Sequence, residues 1–133
     1  YTGATCSSCS NGYYLNSGKC SPCTVISANC NLCSNGSACS TCATGYTGTT
    51  CNKCSAGYYM NSGVCLSCIG ISANCQTCNN GTVCSLCAVG FTGSTCSLCA
   101  TGYTGGGCTS CIVGYYSNTS HCNICTGINT NCL

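Results

Sequence analysis

The sequence predicts a small disulfide-rich repeat, an elongated rod of short β-hairpins and loops with little regular secondary structure. Three observations predict it. Cysteine supplies 23 of the 133 residues, far above the level at which short chains are held by crosslinks. Leucine, isoleucine, valine and phenylalanine together number 18, too few for apolar burial to offset the chain entropy lost on folding. The cysteines also recur in one grammar: eleven CxxC pairs, then Cys132, which would open a twelfth.

The pairs begin at Cys6, Cys20, Cys30, Cys39, Cys51, Cys65, Cys75, Cys84, Cys96, Cys108 and Cys122. Their starts advance by 14, 10, 9 and 12 residues, repeat those four steps, and then advance by 12, 14 and 10. The period is 45 residues, with one extra 12-residue unit. The organisation expected is therefore 1–50 for a partial first repeat and the unit joined to it, 51–95 for a full repeat, 96–107 for the inserted unit, and 108–133 for a truncated partial repeat. The chain starts and stops mid-repeat, with no initiator Met, signal peptide or anchor tail, so it reads as a segment of something longer.

Each element has its local signal. NGYYLNSGKC ending at Cys20 returns as AGYYMNSGVC ending at Cys65 and VGYYSNTSHC ending at Cys122. Bounded by cysteines and carrying NSG, these segments read as two-stranded hairpins. VISANC ending at Cys30 returns as GISANC ending at Cys75, and GYTGTTC ending at Cys51 returns as GFTGSTC ending at Cys96 and GYTGGGC ending at Cys108. Asn35-Gly36 and Asn80-Gly81 mark tight turns, because both residue types tolerate positive φ. No window keeps a 3.6-residue apolar period long enough for a stable helix. Pro22 reads as a turn stiffener, Gly105-Gly106-Gly107 as a flexible turn, and His121 as a solvated loop residue.

Charge excludes most chemistry. There is no Asp or Glu, hence no acid/base pair for glycoside hydrolysis, no carboxylate to orient a histidine and no calcium cage. Lys19 and Lys53 are the two basic residues, which gives no patch for nucleic acid or anionic lipid. No stretch approaches the ~20 apolar residues of a membrane span. The expectation is a protein that is not an enzyme, with no nucleic acid partner and no membrane insertion in this segment.

Paired CxxC motifs also suit zinc. Four-thiolate sites of about −2 charge each would have two lysines to offset them, so disulfides are the better reading. A thioredoxin-like CxxC needs a single reactive pair in a βαβ setting, and eleven equivalent pairs do not supply one. No metal and no catalytic residue is expected. Solubility needs another source, and three sequons offer it: Asn35 (NGS), Asn80 (NGT) and Asn118 (NTS). Covalent glycans are expected there in place of any cofactor. Tyr13, Tyr14, Tyr58, Tyr59, Tyr115 and Tyr116 recur at one place in the repeat. Either one tyrosine of each pair packs over a disulfide, or the six form a lateral contact stripe.

CATGYTGTTC, Cys42 to Cys51, resembles the closing loop of an EGF-like module, and CSAGYYMNSGVC, Cys54 to Cys65, follows it as in laminin-type EGF repeats. The C-x2-C-x2-GYY cadence is similar to furin-like, growth-factor-receptor cysteine-rich repeats. Low-charge arrays of this kind resemble the surface antigens of ciliates and other protists. The laminin-like order implies hairpin bonds Cys9–Cys20, Cys42–Cys51, Cys54–Cys65, Cys87–Cys96, Cys99–Cys108 and Cys111–Cys122. It also implies interlaced bonds, Cys23–Cys33 with Cys30–Cys39 and Cys68–Cys78 with Cys75–Cys84, and partners outside the segment for Cys6, Cys125 and Cys132. A rival order joins successive CxxC pairs first-to-first and second-to-second, such as Cys30–Cys39 with Cys33–Cys42, and connectivity stays open on sequence grounds. The function expected is that of an extracellular, cell-surface structural glycoprotein in a coat, stalk or fibre. Its partners would be itself or neighbouring coat proteins, with possible assembly into filaments. The alternative is a ligand-binding receptor ectodomain of the furin-like or EGF-like type.

Overall fold

The computed structural model describes residues 8–126. The chain divides into two compact units, Tyr1–Leu66 and Ser67–Leu133. Every sheet among the described residues is two-stranded. The fold is a small disulfide-rich repeat of hairpins, with helix among the described residues limited to two 3₁₀ turns.

In the first unit β1 (Tyr13–Asn16) pairs antiparallel with β2 (Lys19–Pro22), Asn16 opposite Lys19. The two residues between them, Ser17 and Gly18, have φ of 48° and 81°. Two successive positive φ values are the mark of a type I′ turn, whose twist matches that of the strands it joins. Pro22, extended at φ −71°, closes β2 and leads into a 3₁₀ turn at Cys23–Val25. β3 (Cys30–Cys33) and β4 (Cys39–Cys42) pair with a register irregularity on either side of Leu32/Thr41. β5 (Tyr46–Thr47) pairs with β6 (Lys53–Cys54). β7 (Tyr58–Asn61) joins β8 (Val64–Ser67) through Ser62 and Gly63, again both at positive φ.

The second unit repeats the series from the 3₁₀ turn onward, with one short hairpin inserted. A 3₁₀ turn at Cys68–Gly70 precedes β9 (Cys75–Cys78) and β10 (Cys84–Cys87). Two short pairs follow: β11 (Phe91–Thr92) with β12 (Leu98–Cys99), and β13 (Tyr103–Thr104) with β14 (Ser110–Cys111). β15 (Tyr115–Asn118) and β16 (His121–Ile124) close the described region. Their turn puts Thr119 at φ 48° and Ser120 at φ 67°, so a serine stands where the other long hairpins use glycine. His121 is the first residue of β16 rather than a loop residue, and it is exposed, its Nδ1 3.0 Å from the Thr119 carbonyl.

One turn is built differently from its sequence reading. Gly36 does not adopt a positive φ. The Asn35 side chain makes the turn instead: its Oδ1 accepts the Ser37 and Ala38 N–H groups at 3.0 and 3.1 Å and the Ser37 hydroxyl at 2.9 Å. An Asx turn of this kind replaces backbone closure with a side-chain acceptor. Asn80 does the same for Thr82 and Val83.

Candidate functional site

The interior is made of sulfur. Every buried hydrophobic residue among the described residues is a cysteine, and Cys23, Cys51, Cys68 and Cys96 are 0% exposed. Bulky aliphatic residues lie outside instead, among them Ile69 at 65% and Val113 at 85% exposure. Among the described residues no polar side chain is fully buried and none is left unsatisfied inside.

Ten disulfides join described residues to one another in this interior. Six close hairpins: Cys9–Cys20, Cys42–Cys51, Cys54–Cys65, Cys87–Cys96, Cys99–Cys108 and Cys111–Cys122. Four interlace: Cys23–Cys33 with Cys30–Cys39, and Cys68–Cys78 with Cys75–Cys84. In the strand ladder Cys30 faces Cys42 and Cys33 faces Cys39, yet Cys33 bonds back to Cys23 and Cys42 forward to Cys51. The second-to-second bond of the rival order is therefore absent here. Each bond spans 9 to 11 residues, a loop for which the chain-entropy model gives about 2.5–3 kcal/mol.

Cys125 is itself disulfide-bonded, which corrects the expectation that it bonds beyond the segment. Cys6 and Cys132 lie outside the described residues. Three groups of sulfurs lie within 4.8 Å of one another: Cys23, Cys30 and Cys33; Cys30, Cys39 and Cys51; and Cys75, Cys84 and Cys96. All of these sulfurs are in disulfides, so in this state they present no thiolate, the form a metal takes.

Two braces that the sequence reading missed hold successive bonds together. Cys51 and Cys96 both sit at φ 50°, a conformation costly for any residue with a Cβ. The Asn29 amide donates to the Cys51 carbonyl at 3.5 Å, and the Asn74 amide to the Cys96 carbonyl at 3.3 Å. Ser27 and Ser72 position these asparagines by accepting their backbone N–H groups at 3.2 Å. That assigns a role to the repeated SANC.

The second brace is aromatic. A Cβ on Gly45 would lie 2.8 Å from the Tyr58 ring, and one on Gly102 2.6 Å from the Tyr115 ring. Gly90 likewise faces the Tyr103 ring at 3.2 Å, with the Cys108 carbonyl closer still. Only a glycine leaves room for the next hairpin's ring, and each of these also has positive φ. The hydroxyl of Tyr46 accepts the Cys65 N–H at 3.2 Å, and that of Tyr103 accepts the Cys122 N–H at 3.1 Å. Tyr46 also packs against the cluster of buried Cys23, Cys30 and Cys51.

Of the six paired tyrosines, Tyr13 and Tyr116 are exposed, while Tyr14, Tyr58, Tyr59 and Tyr115 are half-buried. Tyr14 lies under Gly36, where a Cβ would come 2.5 Å from its hydroxyl. Asn35, Asn80 and Asn118 are all exposed. At Asn118 the Oδ1 accepts the neighbouring Thr119 hydroxyl at 2.9 Å, not that of the residue two on.

Residues 19–68 match the family described as the laminin EGF domain. That stretch contains two interlaced bonds followed by two hairpin bonds, Cys23–Cys33, Cys30–Cys39, Cys42–Cys51 and Cys54–Cys65. Residues 19–68 form a laminin-type EGF-like cysteine-rich repeat. No curated protein matches the chain. The boundary between the two units, after Leu66, falls between the last bond of this laminin-type repeat and the first of the next. Laminin EGF domains are extracellular modules, and EGF-like modules are generally not enzymes. Among the described residues no helix is long and apolar enough to cross a membrane.

Proposed function

We propose that this chain is a segment of an extracellular structural glycoprotein, working in a cell coat, stalk or fibre. What supports the reading is an interior of disulfide sulfur, closed every 9 to 11 residues through the described residues. A ladder of short bonds keeps any local opening local, so proteases gain little chain to cut. Glycans on Asn35, Asn80 and Asn118 hydrate a surface that two lysines cannot keep apart by charge. No cofactor is required. The partners are further copies or neighbouring coat proteins, met through exposed aliphatic side chains such as Ile69, Leu98 and Val113. Filament assembly follows the same logic.

The test is a non-reducing glycopeptide map of native material, combined with labelling of intact cells. The expected result is blocked cysteines, sugar on Asn35 and Asn80 at similar occupancy, and a surface signal. Asn118, whose turn differs, is expected to be occupied to a different degree. Freely labelled thiols and bare asparagines would overturn the reading. A saturable, submicromolar protein ligand for the isolated segment would replace it with a receptor ectodomain.

A further inference from the structure

The three short bonds that follow β2 each have an inner and an outer sulfur. Cys51, Cys30 and Cys23 are buried, while their partners Cys42, Cys39 and Cys33 are half-exposed. The inner sulfurs form one contiguous cluster. Cys51 lies within 4.8 Å of both sulfurs of Cys30–Cys39, and Cys30 within 4.8 Å of both sulfurs of Cys23–Cys33. In the second unit Cys96, partner of the half-exposed Cys87, lies equally close to both sulfurs of Cys75–Cys84. Cys99–Cys108 belongs to no such group.

We propose that these rungs form an internal disulfide-exchange circuit, triggered by a small external thiol that opens one core bond and conserving the number of the bonds that remain. A thiolate RS⁻ attacks the Cys42 sulfur. The RS–Cys42 bond forms, the Cys42–Cys51 bond breaks, and its electron pair leaves on Cys51. That thiolate is enclosed by sulfur and apolar atoms and lacks hydration, which makes it unfavourable where it stands. Its nearest electrophiles are Cys39 and Cys30. Attack on Cys39 forms Cys39–Cys51, breaks Cys30–Cys39 and moves the charge to Cys30. From there the same step on Cys33 forms Cys30–Cys33 and releases Cys23. Each transfer makes one S–S bond and breaks one, with no oxidant consumed. A cut at one rung thus becomes a travelling thiolate, while the core keeps two of its three bonds. The circuit depends on the sulfur geometry alone and stands or falls apart from the coat reading.

The experiment uses the full folded chain and limiting glutathione at mildly alkaline pH, with acid quench, alkylation and mapping of intact bonds by fragmentation mass spectrometry. Cys99–Cys108 is the internal control, because opening it strands the thiol on Cys108. Each label is divided by the glutathione on its own outer cysteine, Cys42 or Cys99. Label on Cys51 is expected to fall at least about tenfold below that on Cys108, as intramolecular attack outruns external capture. New Cys39–Cys51 or Cys30–Cys51 bonds are expected to account for the difference. Equal labelling of Cys51 and Cys108 with Cys30–Cys39 intact would overturn the proposal. So would short bonds that resist glutathione until the chain unfolds, since the outer sulfurs would then be closed. A Cys42→Ser chain, which frees Cys51 without any trigger, is expected to contain the exchanged bond, and a Cys99→Ser chain to keep a simple thiol at Cys108. Retention of Cys30–Cys39 alone in folded Cys42→Ser protein would also overturn it.

Discussion

Two junctions in the molecule use the same seat but different clamps. After Gly45 and after Gly90 the next hairpin lays a tyrosine ring on the glycine, Tyr58 in one case and Tyr103 in the other. The glycine carbonyl accepts an N–H just past the cysteine that opens the next hairpin, Cys54 or Cys99, from Ser55 at 2.9 Å and Ala100 at 2.8 Å. The residue after the glycine then differs. Tyr46 reaches the Cys65 N–H, whereas Phe91 has no hydroxyl to offer. The hairpin after Tyr46 closes over 11 residues, while the inserted one after Phe91 closes over 9. Where a long hairpin follows again, at Cys111–Cys122, the tyrosine returns as Tyr103 and its bond returns with it. The steric seat belongs to every joint, and the hydroxyl clamp only to those where a long hairpin presents the N–H of its closing cysteine.

The largest effects should show whether the two kinds of joint rest on equal covalent support. Cys42→Ala/Cys51→Ala and Cys99→Ala/Cys108→Ala each remove a bond of nine-residue separation. Each is expected to cost about 3 kcal/mol in denaturant unfolding. A gap of more than about 1 kcal/mol between them would mean that the inserted rung carries a different load. Next comes the seat. Gly90→Ala drives a Cβ into the backbone carbonyl of Cys108, Gly45→Ala into a ring that can tilt, and Gly18→Ala into open space. The expected order of destabilisation is about 3, 2 and 1 kcal/mol, all three carrying the positive-φ penalty. Thermal melts of the three variants read that order directly.

The clamp is smaller. Tyr46→Phe and Tyr103→Phe are each expected to lose about 1 kcal/mol, and amide exchange at Cys65 or Cys122 should speed up roughly fivefold. Phe91→Tyr is expected to gain nothing, and a stabilised Phe91→Tyr chain would break the comparison. Smallest is Asn29→Ala, which removes a 3.5 Å contact to the Cys51 carbonyl. About 0.5 kcal/mol is expected, with the same loss for Asn74→Ala. The inserted unit supplies the reference, because Leu86 stands 22 residues before Cys108, the spacing that places Asn29 before Cys51 and Asn74 before Cys96.

Much of the fold was legible because its determinants are local. The period of the CxxC pairs locates every cysteine, while the order of their bonds came only from the laminin-type resemblance, and NSG before Cys20 and Cys65 is enough to place a two-residue hairpin turn. The joints were not legible, because Gly45 with Tyr58, and Asn29 with Cys51, meet across 13 and 22 residues of chain with cysteines between. The signals were nevertheless in the text. SANC is copied intact at Cys30 and Cys75, and the sole exchange of tyrosine for phenylalanine in the G-Y-T-G turn stands immediately before the inserted unit. A turn that looks glycine-made, Asn35-Gly36, proved to be asparagine-made, since the same dipeptide serves either geometry and only the Oδ1 contacts separate them.

An interior of sulfur also sets how the protein answers temperature. Unfolding a conventional domain uncovers hydrocarbon, and the resulting rise in heat capacity bends its stability curve into a dome with a cold limb as well as a hot one. Here the large aliphatic side chains are already wet in the folded chain, and the bonds persist when the backbone loosens. The heat-capacity increment per residue should therefore fall well short of the ~12–15 cal/mol/K usual for globular proteins. The curve should flatten, with its cold and hot limbs moved further apart.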